Sequence, residues 1–288
     1  MNKYLSVILA YTFIVMLADS QNIHSLPDTI ETKPQKITAT FSDDFDNPVL
    51  NPNFWGRFQR KKSAPWNVYI CDSIRQLVEV SEGTLKIRAI WDYDRNHPWT
   101  GCIETKDKVS IKYGRVDVKA RFNRYGNGAW PAIWMLSQTS VYDKWPGGGE
   151  IDIMERIDKE KQIHQAFHQG DASDINIDLK KRKDFITPIT PEKYHVYSMI
   201  KLPDAIGLYV DYKLRAVHYK GGIEGSELYW PFETDFYLIL NHACSDMGVS
   251  GKKFWSKKIT ENDLRESCFP YEMEIDYVYF YDYTRPSN

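Results

Sequence analysis

The sequence predicts an all-β protein, a single sandwich of many strands. Three observations carry that expectation. Apolar and polar residues alternate with a period of two through most of the chain, glycine and proline clusters break the alternation, and no long stretch joins helix caps to a 3.6-residue period. The 288 residues fit one such domain, since β-sandwiches often reach about 200–250 residues undivided. The rings are abundant: 9 Trp, 19 Tyr and 13 Phe suit pleated sheets, and also a surface that stacks on sugar rings. With 42% hydrophobic residues the chain is too apolar to be disordered, and a net charge of −2 lacks the basic excess of a nucleic-acid binder. Collagen, coiled-coil and multi-span membrane architectures are excluded by the same composition.

In chain order, Lys3 precedes an apolar stretch from Leu5 to Ala18, the length of a signal-peptide core and short of the roughly 20 residues that span a bilayer. Ala18-Asp19-Ser20 offers small residues at the two positions a signal peptidase reads. Residues 1–20 are therefore expected to be a signal peptide cleaved near Ser20, and the protein to be secreted or held in the periplasm or at the cell surface. No Cys precedes Cys71, so a lipid-anchored lipoprotein is not expected. An uncleaved N-terminal anchor is the alternative. Residues 21–40 read as a flexible leader, because the stretch is mostly polar, contains Pro27 and Pro34 and shows no period. No other apolar run is long enough to span a membrane, and the exported chain is expected to be a monomer.

Residues 41–285 carry the strand pattern. Leu85, Ile87 and Ala89 alternate with Lys86 and Arg88; Val116, Val118, Ala120 and Phe122 with Asp117, Lys119 and Arg121; Leu208, Val210, Tyr212 and Leu214 with Tyr209, Asp211, Lys213 and Arg215. Each reads as a strand with one buried face. Gly126-Asn127-Gly128, Pro146-Gly147-Gly148-Gly149 and Gly221-Gly222 mark turns, and Thr260 to Glu266 is the best helical candidate, one or two turns long. The basic run Lys180-Lys181-Arg182-Lys183 reads as a solvated loop. Cys71, Cys102, Cys244 and Cys268 contain no CxxC pair, which argues against zinc; export leaves disulfides and free buried thiols equally open.

The chemistry is concentrated in Gly149-Glu150-Ile151-Asp152-Ile153-Met154-Glu155. On a strand, Glu150 and Asp152 share one face while Ile151 and Ile153 share the other. Strict alternation would then send Glu155 into the core, where an unpaired carboxylate is costly. A one-residue bulge at Ile153-Met154 resets the phase and returns Glu155 to the face of Glu150 and Asp152. Crowded carboxylates cannot all ionise cheaply, so their protonation separates. Glycoside hydrolysis needs that arrangement, with one anionic carboxylate and one carboxylic acid flanking the scissile bond. The alternative is an edge strand decorated with charge; the Gly-rich turn, the opposed isoleucines and the nearby Trp-rich segments favour a site.

On these residues the chain resembles glycoside hydrolase family 16, in its laminarinase-like branch, which also holds endo-β-galactosidases. Gly149 to Glu155 matches that family's active-site strand, and Trp130-Pro131-Ala132-Ile133-Trp134-Met135-Leu136 its partner segment. Lys112-Tyr113-Gly114-Arg115-Val116, Trp230-Pro231-Phe232 with Phe236 to Asn241, and Met273 to Val278 match other strands, in consistent order over about residues 41–283. The resemblance implies a β-jelly roll of two curved antiparallel sheets with an open concave cleft, and residues 41–285 as one catalytic domain. It implies Glu150 as nucleophile, Glu155 as general acid/base and Asp152 as the assisting carboxylate between them. Trp130 and Trp134 fall where the family places cleft aromatics, Trp134 being equally readable as core. His168 falls beside the acid/base, and Trp145, Trp99 and Asn241 are further substrate-binding candidates. His164 with His168 lacks the acidic helix motif of a metal pair, and no metal site is expected.

Two departures bear on substrate. His164-Gln165-Ala166-Phe167-His168 replaces the small residues usual before the His, and His242-Ala243-Cys244-Ser245-Asp246 replaces the Gly-Gly often found after the Asn241 segment. Phe167 and His242 are therefore expected along the cleft, altering a subsite. The expected function is a secreted retaining endo-β-glycosidase acting on a polysaccharide or a glycoprotein glycan, first of all a β-1,3- or mixed-linkage glucan. The alternative is an endo-β-galactosidase on mucin-type O-glycans, and the non-enzymatic alternative a sugar-binding jelly roll without turnover. No cofactor is required. The structural calcium the family sometimes carries finds no convincing ligand set here.

Overall fold

The computed structural model describes residues 26–30, 39–58, 65–139, 145–170, 176–178, 185–221, 230–248, 256–265 and 269–284. The signal peptide expected over residues 1–20, the basic run at 180–183 and Cys268 lie outside them. The alternating stretches become strands β1 (Phe41–Asp43), β2 (Gly56–Arg57), β3 (Val78–Ser81), β4 (Thr84–Asp92), β5 (His97–Thr100), β6 (Cys102–Glu104), β7 (Gly114–Arg124), β8 (Ala129–Ser137) and β9 (Glu150–Glu155). They continue as β10 (Gln162–Gly170), β11 (Asn176–Asp178), β12 (Phe185–Pro188), β13 (His195–Lys201), β14 (Ala205–Val210), β15 (Lys213–Tyr219), β16 (Phe236–Cys244) and β17 (Tyr271–Asp282).

These strands form two antiparallel sheets. One runs β15-β14-β13-β7-β17-β4-β3, with β1 on β17 and β5 on β4; the other runs β11-β10-β9-β8-β16-β6-β2, with β12 on β10. The inward phases meet between them. Val116, Val118, Ala120 and Phe122 of β7 and Ile275, Val278 and Phe280 of β17 join one core with Ile133 and Met135 of β8, Ile151 and Ile153 of β9, and Leu238 and Leu240 of β16. Burying a side chain of that size is worth roughly 1.5–3 kcal/mol, so the alternation alone decides which face each strand turns inward.

Three local features differ from or sharpen the sequence reading. The stretch 208–215, read as one strand, is a hairpin: β14 ends at Val210, and Asp211 (φ 49°) and Tyr212 (φ 67°) make the turn into β15. Two residues with positive φ match the twist of a tight hairpin, but this turn lacks the Asn-Gly or Asp-Gly pair that signals one. Within the stretch read as a flexible leader, residues 26–30 are docked. Leu26 and Ile30 are buried against Ile200, Ala205 and Tyr209, Ile30 N–H donates to Tyr212 O at 2.9 Å, and Leu214 N–H to Asp28 O at 2.9 Å. Burial on this second face is why β14 is apolar on both sides. The short helix forms as α1 (Glu261–Arg265), capped at Thr260, whose Oγ1 accepts from Asp263 N–H at 3.3 Å. Cys71, Cys102 and Cys244 are free thiols.

Candidate active site

The site is built on β9. Gly149 leads into it at φ +80°, and a Cβ there would stand 2.9 Å from the Phe232 ring, so the turn before Glu150 requires glycine. Inside the strand the bulge falls where the carboxylate spacing demands. On β8, Ile133 pairs with Met154 and Trp134 with Asp152, leaving Ile153 as the inserted residue. On β10, His164 pairs with Glu155, Ala166 with Asp152 and His168 with Glu150. Ile151, Ile153 and Met154 all enter the core, while Glu150, Asp152 and Glu155 turn to the opposite face.

Each carboxylate has a fixed neighbour. Trp145 Nε1–H donates to Glu150 Oε2 at 2.8 Å, and Trp130 Nε1–H to Glu155 Oε1 at 2.9 Å. Between them, His168 Nε2 lies 3.0 Å from Asp152 Oδ2 and 3.7 Å from Glu150 Oε1. An imidazole N–H at that nitrogen donates to Asp152 and stands next to Glu150. Trp145 is 59% exposed, and its ring lies 5.3 Å from that of His168, so an indole borders the outer side of Glu150. Glu150, Asp152 and His168 offer ligand atoms within 4.8 Å of one another, so among the described residues they are the group that could hold a metal ion.

The remaining sequence candidates divide. Trp134 lies on the same face as Asp152 but is only 5% exposed: its Nε1–H donates to Asn241 Oδ1 at 2.7 Å, and Trp66 packs edge-on against its ring at 4.8 Å. Trp134 and Asn241 thus form a covered pair, within a cluster of Phe58, Cys102, Ala132, Tyr237 and Ile239 that seals the outer face of β8, β16 and β6. Trp99 stands apart, bonded to Asp92 Oδ2 at 3.0 Å and edge-on to His97, which stacks on Tyr69 at 5.1 Å. Tyr69 in turn packs against the Trp130 cluster, so an aromatic row leads from the Glu155 indole outward. Sequence reasoning missed Trp66 and Tyr69, which lie outside the strands, and His97, which opens the short strand β5.

The expectation for Phe167 and His242 is corrected. Both occupy the inward phase of their strands. Phe167 is buried in the core against Phe185 and His218, and His242 stacks on Tyr271 with Nδ1 3.0 Å from Ala243 O. Burial pulls the His242 pKa down to about 4, so it is a neutral core residue. Both side chains therefore turn away from the face that carries the three carboxylates. His164, the other member of the discounted metal pair, bonds Glu160 at 2.8 Å.

Comparison with known proteins bears on the family and the fold. Residues 118–195 match the family model described as XgeA-like, catalytic GH16 domain. A keratan-sulfate endo-1,4-beta-galactosidase of Sphingobacterium multivorum is 35% identical over 84% of the chain, and glucan endo-1,3-beta-glucosidase A1 of Niallia circulans 31% identical over 85%. The chain spans 54% and 38% of the lengths of these two relatives. A solved structure described under endo-acting O-glycanases of the human gut microbiota that initiate mucin breakdown superposes with a TM-score of 0.69, at 29% identity, covering 84% of this chain and 98% of that one. The two-sheet sandwich is accordingly a β-jelly roll.

Proposed function

The chain belongs to glycoside hydrolase family 16, and from that membership we propose that it is a retaining endo-β-glycosidase in which Glu150 is the nucleophile and Glu155 the general acid/base. One observation carries the assignment: the bulge at Ile153 puts both glutamates on one face, each oriented by an indole N–H. In the first step a carboxylate oxygen of Glu150 forms a bond to the anomeric carbon as the glycosidic C–O bond breaks, and the proton of Glu155 goes to the departing oxygen. In the second, Glu155 takes a proton from water, whose oxygen displaces Glu150. Asp152, held by His168, lies between them and is placed to steady the charge that moves across the site.

The substrate is an internal β-linkage of a polysaccharide or glycoprotein glycan, with β-1,3- or mixed-linkage glucan the first reading. The identity to the keratan-sulfate endo-β-galactosidase favours galactose-containing glycans as the second. Export through a signal peptide at residues 1–20 fits a polymeric substrate outside the cell. No helix among the described residues is long and apolar enough to cross a membrane. The test is a product profile by mass spectrometry after incubation with laminarin, barley β-glucan, agarose-type galactan, keratan sulfate and mucin O-glycans, with Glu150→Ala beside the wild type. Glucose oligomers absent from the variant digest support the first reading, and galactose-terminated fragments the second. No product from any of the five overturns the assignment.

A further inference from the structure

A polar side chain lies in the core beneath the carboxylates, bonded to a backbone group that the bulge displaces. Gln165 occupies the inward phase of β10, between the core residues Ile163 and Phe167, and is 1% exposed. Its Nε2–H donates to the carbonyl of Ile153 at 2.8 Å. Ile153 has no residue opposite it on β8, and on β10 only Gln165 stands across from Ile153 and Met154, because His164 faces Glu155 and Ala166 faces Asp152. The extra residue of a bulge drops out of the ladder, and a buried carbonyl without a donor is expensive. The facing side chain supplies that donor.

The phase reset is felt beyond Glu155. Arg156 is turned inward and fully buried, with Nη1–H donating to Asp158 O at 3.0 Å and the guanidinium 3.8 Å from the Tyr125 ring centre. Burial draws its pKa down to about 10, a sign of what the core position costs a guanidinium. In regular phase Arg156 would face solvent and Glu155 would enter the core. A strand carrying this conflict needs something local to hold the shifted register.

We propose that Gln165 is a positioning residue that locks the bulge of β9 and so sets the attitude of Glu155 toward the substrate. The proposal rests on the reading of Glu155 as acid/base, and Gln165 itself touches no substrate. The test uses Gln165→Met, which keeps the length but has no N–H, and Gln165→Asn, which keeps an amide too short to reach; the second serves if the first does not fold. Two readouts are taken on whichever variant folds.

Hydrogen exchange over residues 150–157 is expected to accelerate by about 10-fold, the equivalent of one hydrogen bond, with the other strands unchanged. The ratio of kcat/KM on an activated aryl β-glycoside to that on the polymer is expected to rise by about 10-fold, in the direction of Glu155→Gln, because a good leaving group needs little protonation. A residue that only supports the fold would lower both substrates alike. Equal losses, or unchanged exchange, overturn the proposal. If the wild type cleaves no glycan, the acid/base reading of Glu155 fails, and the exchange result alone decides whether Gln165 holds the bulge.

Discussion

Glu150 and Glu155 are five positions apart in sequence, yet each carboxylate accepts one indole N–H. A donor on one oxygen fixes the plane of the carboxylate and so the direction in which its other oxygen points. Trp145→Phe tests this at Glu150, since the ring beside His168 is kept and the N–H is lost. Hydrogen bonds to charged groups are worth about 1.5–3 kcal/mol, so kcat/KM on an activated aryl glycoside is expected to fall by roughly 10–100-fold with Tm little changed. A loss in KM alone would make Trp145 a stacking surface only. The carboxylates were legible as residue types in a pattern, and the pairings with Trp130 and Trp145 were not. An indole donor is recognised only when its acceptor is in place.

At the scale of elements, β9 shows how a strand is made functional by breaking its own period. The E-x-D-x-x-E spacing implied the bulge, because the alternative buried a carboxylate. Gly149 opens the same strand, and Gly149→Ala is expected to destabilise the protein by about 1–3 kcal/mol, from positive φ and contact with Phe232. Gly83→Ala, at φ +71° with nothing within 4 Å of the added Cβ, carries the backbone strain without the contact. Thermal unfolding and kcat of the two variants side by side should show a larger Tm loss and a loss of activity for Gly149 only. Equal effects would mean that Phe232 yields. The Asp211-Tyr212 turn was not legible because Tyr stands where the Asp-Gly signal has Gly, and the alternation runs through it unbroken.

For the molecule as a whole, the sandwich carries a pH dependence through one of its buried histidines, His242. His242 protonates near pH 6.5 in the unfolded chain but only near 4 when folded, because burial disfavours the cation. The unfolded state therefore binds the proton first as pH falls, and stability is lost between about pH 6.5 and 4, by roughly 3 kcal/mol in all. His242→Gln should flatten the acid limb of Tm against pH; an unchanged limb would show that other groups set it. His195 contributes in the opposite sense. Its hydrogen bond to Asp211, at 2.7 Å, raises its pKa, so that contribution is full below about pH 6.5 and fades as pH climbs through the raised value.

The amino-acid sequence by itself determined the all-β class, the inward phases of the main strands, the bulge and the three carboxylates on one face. Each follows from local periodicity and the cost of burying charge. Only the tertiary structure decided that Phe167 and His242 point into the core, that Trp134 is covered by Trp66, that residues 26–30 are docked and that Gln165 serves the Ile153 carbonyl. Those outcomes depend on which residues of distant segments meet across a sheet or between sheets. A period of two assigns each residue to a face, but what covers that face is settled by packing.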